Sequence, residues 1–237
     1  MKKSKEERVI IDNEIVDAIL ELPHQFSVGE EKFFIYPLTL GKSFLLDRAI
    51  QMLNMNKVML AIDSNMEALR LSYLHKKEMC IVIAYHTFKD KEDLVDEYKI
   101  DERATFFEKN IDEEDLAKLF ILVSQPVPYE DFIAHLGIDE EKKWQRKAMQ
   151  AKKDSDALTF GGKSIYGTFI DFACERYGWT YEYVVWGVSY INLQMLMADV
   201  VNTMYLSDKE RKKARIPKDR TRISADQNRN ALKEFLG

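Results

Sequence analysis

Most hydrophobic positions along the chain recur at the spacing of an α-helix, and short polar interruptions separate one stretch from the next. Pro23 and Asn54 to Asn56 are two such interruptions. After Thr39, which can cap a helix, the apolar positions at helical spacing are Phe44, Leu45, Ala49, Met52 and Leu53. The predicted helices cover 12–21, the stretch after Thr39, 58–62, 64–87, segments that begin at 90 and 112, 129–137, 139–153 and parts of 165–205.

One region near the N-terminus alternates instead with the period of a β-strand. In QFSVGEEKFFI, Phe26 and Val28 alternate with polar residues, a turn follows at Gly29, and Phe33 and Ile35 alternate again. This pattern predicts a β-hairpin.

Aromatic residues concentrate between Ile165 and Tyr205, where 10 of the 27 in the chain lie within 41 positions. Gly178 is placed to end one helix, and Thr180 to cap the next. The predicted last helix carries an apolar stripe of Leu193, Leu196, Met197, Val200 and Met204. Such a stripe suits either the domain's own core or an adaptable groove for a partner helix. The candidate partner-binding residues are Trp179, Tyr183, Trp186, Tyr190, Leu193 and Met197.

The composition favours long helices. The 237 residues include only nine glycines and five prolines, and 46% are hydrophobic, enough for a substantial core. The predicted fold class is mainly α, a multi-helix bundle-like fold with a small N-terminal β-hairpin. Four segments are predicted: 1–138, hairpin plus helical body; 139–163, charged linker or exposed helix; 164–206, C-terminal helical hairpin; and 207–237, basic tail with a possible terminal helix in DQNRNALKEFLG.

Charge is distributed unevenly along the chain. The net charge is −5, but 207–222 carries eight Lys or Arg against three Asp or Glu. The remaining surface is therefore acidic and disfavours nucleic acid. The candidate basic-tail residues are Arg211, Lys212, Lys213 and Arg215. The tail can be a solvated linker, or it can contact an acidic partner or a phosphate backbone.

The familiar catalytic and metal-binding patterns are missing from the sequence. The GGKS at 161–164 has Ala157 where a phosphate-binding loop needs its first glycine, and polar residues precede it instead of a buried strand. The four histidines and two cysteines have no metal-ligand spacing. We therefore expect no metal, no cofactor and no enzymatic activity. Without a signal peptide or a transmembrane run, a cytoplasmic location is expected.

Two segments read together resemble the tail assembly chaperones of long-tailed bacteriophages. The first is VGEEKFFIYPLTLGKSFLL, Val28–Leu46, with an edge hairpin, Pro-Leu-Thr-Leu-Gly and then a helix. The second is FIDFACERYGWTYEYVVWGVSYINLQMLMADVV, Phe169–Val201, which is similar to the family's helix, Gly-aromatic-Thr, short helix and apolar helix. Together they cover about a quarter of the chain.

The resemblance implies a non-catalytic phage or prophage protein that coats the tape-measure protein and helps to recruit tail-tube subunits. Self-association is a further possibility that the apolar stripe leaves open. Two alternatives remain: a structural tail or connector protein of the virion, and a nucleic-acid-binding regulator that uses the basic tail.

Overall fold

The computed structural model describes residues 5–124, 127–152, 162–201 and 203–217. Within these ranges the chain is mainly helical and has one antiparallel hairpin, which confirms the predicted fold class. The α-helices are α1 Lys5–Leu20, α2 Leu40–Met52, α3 Lys57–Ile62, α4 Ser64–Leu74, α5 Lys76–Thr87, α6 Lys91–Leu94, α7 Glu97–Asn110, α8 Glu113–Ser124, α9 Tyr129–His135, α10 Ile138–Ala151, α11 Phe172–Tyr177, α12 Tyr190–Ala198 and α13 Asp208–Ala214. The strands are β1 His24–Val28 and β2 Glu31–Ile35, and two π-helical segments cover Tyr166–Asp171 and Tyr183–Gly187.

Contacts between residues divide the chain into two compact units. Unit 1 comprises 1–135 and 161–199, and unit 2 comprises 136–160 and 200–237. Each unit is thus assembled from two separate stretches of sequence. The four segments predicted from the sequence are continuous stretches of the chain, whereas each of these units combines two stretches that pack together.

The main core of unit 1 surrounds α5, which packs against α2, α7 and α8. The side chains of Cys80 and Ile83 on α5, Phe107 on α7 and Leu116 on α8 are completely buried. Because each helix contributes one apolar face, the cluster excludes water along the whole length of α5.

The predicted hairpin covers one side of this core. In the register of β1 and β2, Phe26 lies opposite Phe33. The Phe33 ring meets Phe107 edge to face, with centroids 4.9 Å apart. The strands therefore bury the alternating apolar face that the sequence indicated.

The single helix predicted over 64–87 is wrong, because the chain forms two helices that separate at His75. Its φ of −136° and ψ of 42° lie outside the helical region, so the direction of the chain changes there. Because of this break, the buried face of α4 does not continue at the same helical spacing into α5. Tyr73 on α4 is 65% exposed, whereas Cys80 and Ala84 on α5 are buried.

The predicted stripe of α2 is only partly correct. Ala49 and Leu53 are buried as expected, but Phe44 and Met52 are exposed and Leu46 occupies the core instead. The face of α2 that meets α5 is therefore rotated relative to the predicted one.

Helix boundaries also differ from those predicted at both ends of unit 1. The first helix begins at Lys5 instead of residue 12. The last, α12, ends at Ala198, so Val200 and Met204 do not extend its stripe.

Glu67 is a buried carboxylate that ties α4 to the start of α3. It accepts hydrogen bonds from the Asn56 amide at 2.6 Å and from Arg70 Nε and Nη2 at 2.8 and 2.7 Å. The Arg70 hydrogen bond is the main reason why the pKa of Glu67 lies below its ordinary value. We expect Glu67→Gln to lower the free energy of unfolding by about 1–2 kcal/mol, measured by urea denaturation at neutral pH.

A pH series tests the origin of this effect. A carboxyl whose pKa is lowered by folding contributes stability above its ordinary pKa, and that contribution is lost as pH falls through the lowered value. The difference between the native protein and Glu67→Gln should therefore shrink in acid. Glu114→Gln, a change at an exposed carboxylate, serves as the control and should be neutral within about 0.5 kcal/mol. A pH-independent difference would contradict the assignment.

Unit 2 is built on the packing of α10 against α13. Ala148 and Ala151 on α10 and Ala214 on α13 are buried, and such small side chains let the helices approach closely. Ser207 and Glu210 form a reciprocal capping box at the start of α13. Residues 208–214 are therefore a capped helix and not a solvated linker. The predicted terminal helix in DQNRNALKEFLG lies outside the described residues.

None of the described helices has the length and apolar character needed to cross a membrane.

Candidate partner-binding surface

Two local signals in the aromatic-rich part of unit 1 end one helix and begin the next. The backbone of Gly178 adopts φ 67°, which is unfavourable for residues with a Cβ, and its amide donates to Cys174 O at 3.1 Å to close α11. Two residues later, Thr180 Oγ1 accepts from the Tyr183 amide at 3.2 Å. Both of these signals were predicted from the sequence.

The segment Tyr183–Gly187 is π-helical, a conformation that the spacing of apolar residues does not reveal. The Val188 amide donates to Tyr183 O at 3.1 Å, five residues earlier. A Cβ at Gly187 would lie 2.3 Å from Cδ2 of the Tyr183 ring, so the glycine lets this ring fold against the backbone.

The C-terminal segment of unit 1 is joined to the beginning of α2 by backbone hydrogen bonds. The Tyr190 amide donates to Leu38 O at 2.6 Å, and Thr39 forms an antiparallel bridge with Ser189. Glu21 Oε1 accepts from the Ser189 amide at 2.8 Å and from Asn192 Nδ2 at 3.0 Å. Two regions about 150 residues apart in sequence are thereby fixed to each other.

A second hydrophobic cluster lies beneath this joint. It is separate from the core around α5 and is formed by buried Leu40, Ile170, Ala173, Val184, Val185, Val188 and Leu193. Leu40 is the only one of these that comes from the N-terminal half of the chain. The aromatic side chains of the region cover the cluster from outside.

Three rings form a continuous aromatic row, defined as Tyr177, Trp179 and Tyr183. The centroids of Tyr177 and Trp179 are 4.9 Å apart, and Trp179 meets Tyr183 edge to face at 5.1 Å. Tyr183 remains 45% exposed and its neighbour Tyr181 is 53% exposed. The row therefore has a buried side that stabilises it and an outer side that is open to solvent.

The six candidate partner-binding residues divide between surface and core. Trp179 and Tyr183 lie together in the aromatic row, and Met197 is half-buried on α12. Trp186 is half-buried against Gly41, and Tyr190 packs on Phe169 at 5.6 Å.

Leu193 is completely buried in the second cluster, so its side chain supports the surface from below and does not lie on it. The reason is that α12 turns this face towards Leu40 and Val184. Sequence reasoning did not single out Tyr177 or Tyr181, although both belong to the same aromatic-rich stretch.

The candidate basic residues all lie at α13 in unit 2. Lys212, Lys213 and Arg215 are exposed, whereas Arg211 is half-buried. None of the four forms an ion pair with another described residue.

Two basic side chains, Lys42 at the start of α2 and His86 on α5, are unexpectedly buried. Lys42 is 1% exposed, and its Nζ has no hydrogen-bond partner among the described residues; the Tyr36 ring centroid lies 5.9 Å away. Burial lowers the pKa of Lys42 to about 7. Buried His86 has a pKa lowered to about 3, by burial and then by the charge of Lys42. The pattern of apolar residues does not reveal this pair, because lysine is almost never fully buried.

The described side chains do not form two kinds of reactive site: an activated Cys80 thiolate and a metal-binding cluster. Burial raises the pKa of the Cys80 thiol to about 12, so it is protonated and unreactive at neutral pH. In the described ranges, no three His, Cys, Asp or Glu residues lie close enough to hold a metal ion. What the region presents is a partly exposed aromatic surface, which suits contact with apolar side chains.

Comparison with known proteins gave no relative: no protein-family model, no curated protein sequence and no solved structure matches this chain.

Proposed function

We propose that this protein is a non-catalytic tail assembly chaperone of a long-tailed phage or prophage. It binds the tape-measure protein and helps to recruit tail-tube subunits in the host cytoplasm. One observation carries the proposal. The two segments that resemble the family, Val28–Leu46 and Phe169–Val201, are joined through the Tyr190 to Leu38 hydrogen bond and through the packing of Trp186 on Gly41.

The aromatic row supplies the binding surface in this proposal. Tyr and Trp side chains contribute a large contact area at a small cost in side-chain entropy, and they dominate many protein interfaces. Tyr183 is exposed, while Trp179, which it contacts, and Tyr177 pack on the second cluster. An amphipathic helix of the client can place its apolar side chains against this row, as in other helix-in-groove complexes.

The first test is co-expression with the tape-measure protein encoded in the same gene neighbourhood. The chaperone should keep that protein soluble and co-purify with it. A tape-measure protein that stays insoluble and unbound would refute the proposal. Mass spectrometry of purified particles addresses the alternative role: a chaperone should be absent from the virion, and a structural tail or connector protein should be present.

Tyr183→Ala tests whether the aromatic row is the surface that binds. We expect the variant to weaken client binding about tenfold or more, because truncating an exposed interface tyrosine removes its contact area. Tyr73→Ala is the matched control: Tyr73 is also exposed in unit 1, at 65%, but lies on α4 outside the row. Isothermal titration calorimetry gives both affinities. Equal losses in the two variants would show that the client binds elsewhere.

A further inference from the structure

The two units carry opposite net charges. The stretches that form unit 2 contain sixteen Lys or Arg and ten Asp or Glu, a net charge of +6. Since the whole chain carries −5, unit 1 carries −11. A separation of this size within one chain makes contact between unlike units of different copies electrostatically favourable.

The cations of α13 differ from many other cations of the chain in how they are paired. In unit 1, ion pairs with described carboxylates involve Arg70, Lys76, Lys77, Lys91, Lys99 and Lys118. In unit 2, Lys143 on α10 pairs with Asp139 at 3.1 Å, whereas the cations of α13 have no such partner among the described residues. No described carboxylate therefore neutralises the α13 cations.

The basic side chains of α13 line a small groove. Arg211, Lys212 and Arg215 surround it together with Asp208 and Ile216, and its volume is about 170 Å³. Three cations against one carboxylate give this groove a net positive charge, and two of the cations are arginines, whose planar guanidinium groups suit carboxylates.

The α7 helix of unit 1 carries a groove of complementary chemistry. It is about 380 Å³ and is lined by Tyr98, Asp101, Glu102, Thr105, Phe106, Lys109 and Asn110. Its two carboxylates outnumber its one amine, so the lining has a net charge of −1. Tyr98 is 76% exposed, and Asp101 keeps one ion pair, with Lys77 at 3.1 Å. Aromatic faces beside carboxylates suit arginine and lysine, since the apolar stem packs on the ring and the charge meets the acid.

We propose that the basic groove of α13 in one copy binds the acidic, aromatic groove of α7 in a second copy. The contact joins two different surfaces, so it is head-to-tail and can add further copies. It does not depend on the proposed client. A nucleic acid fits less well, because the chain as a whole is negative and unit 1 would repel a polyanion.

Two charge-reversal variants, used separately and mixed, test the contact. The basic-groove variant is Arg211→Glu/Lys212→Glu, and the acidic-groove variant is Asp101→Lys/Glu102→Lys. Sedimentation velocity should show that the unmodified chain associates at about 50 mM salt and at least about tenfold more weakly at about 500 mM, where exposed charges are screened. Each variant alone should remain monomeric.

The mixture of the two variants gives the decisive result. The basic-groove variant keeps its acidic groove and the acidic-groove variant keeps its basic groove, so one intact contact can form between them. An equimolar mixture should therefore yield a one-to-one heterodimer. A mixture that stays monomeric overturns the proposal.

Controls separate the local contact from net charge and from folding. Lys147→Glu/Lys152→Glu changes the charge of unit 2 by the same amount, on α10 and at its C-cap and outside the groove, and should still associate. Circular dichroism and thermal melting check that every variant is folded.

An unmodified chain that is monomeric at low salt overturns the proposal. If it then binds duplex DNA through Arg211 and Lys212, the groove belongs to a phosphate backbone instead.

Discussion

Lys42→Met is expected to raise the free energy of unfolding by about 3 kcal/mol at pH 7. The amine of Lys42 is buried without a hydrogen-bond partner among the described residues, whereas in the unfolded chain water solvates it. Its pKa falls from 10.5 to about 7 on folding, a difference that corresponds to roughly 5 kcal/mol at about 1.4 kcal/mol per pH unit. Replacing such a group by an apolar side chain of similar length removes most of this cost, less any imperfect packing.

The lowered pKa of Lys42 also predicts how the free energy of unfolding changes with pH. Between pH 7 and 10.5 the unfolded chain binds the Lys42 proton more tightly than the folded protein, so stability rises with pH in this window. Below pH 7 Lys42 is protonated in both states, so it no longer changes the free energy of unfolding as pH falls. His86 acts at lower pH: its pKa falls from 6.5 to about 3, so stability decreases again as pH drops from 6.5. Lys42→Met should abolish the first dependence and reduce the second without removing it, because burial is the main cause of the lowered His86 pKa and the Lys42 charge is the smaller cause.

Denaturant titrations of the native protein and Lys42→Met from pH 6 to pH 10 measure the effect. The gain should be at its maximum at pH 7 and below and shrink towards pH 10. Lys89→Met, at an exposed lysine of the same unit, is the control and should change stability by less than about 0.5 kcal/mol at any pH. A destabilised Lys42→Met protein, or a gain that does not vary with pH, would show that the amine is solvated or paired in the folded state.

Sequence reasoning succeeded where a signal is local. The turn at Gly29, the stop at Gly178 and the cap at Thr180 each depend on backbone geometry that a few neighbouring residues determine. The aromatic concentration at 165–205 likewise identified the stretch that contains the aromatic row. These local signals were enough to predict the mainly α fold and its hairpin.

The remaining features depend on contacts between distant parts of the chain. The break at His75 interrupts a continuous helical pattern, so periodicity alone could not locate it. Leu193 looked equivalent to Met197 in the apolar stripe, and only the packing of Leu40 and Val184 decides that it is core. The burial of Lys42 and the division into two units also follow from tertiary packing.

Gly41→Ala is expected to lower the free energy of unfolding by about 2–3 kcal/mol, although alanine is the better helix former. A Cβ at this position would lie 2.6 Å from Cε3 and Cζ3 of the Trp186 indole. The ring is rigid and packs against the second cluster, so either the indole or α2 must move. Such overpacking outweighs the gain of up to about 1 kcal/mol that replacing a helical glycine usually brings.

The position of the clash also predicts which part of unit 1 loosens. Gly41 and Trp186 meet at the joint that connects α2 to the C-terminal segment, so hydrogen exchange should accelerate at the Tyr190 amide, which donates to Leu38 O. Gly167→Ala is the matched control, because a Cβ there would come no closer than 3.4 Å to any described neighbour. A double-mutant cycle with Trp186→Leu identifies the cause: the two changes together should cost less than the sum of the single changes by about 1–2 kcal/mol. Additive costs would mean that Gly41 is required for a reason other than the indole that packs on it.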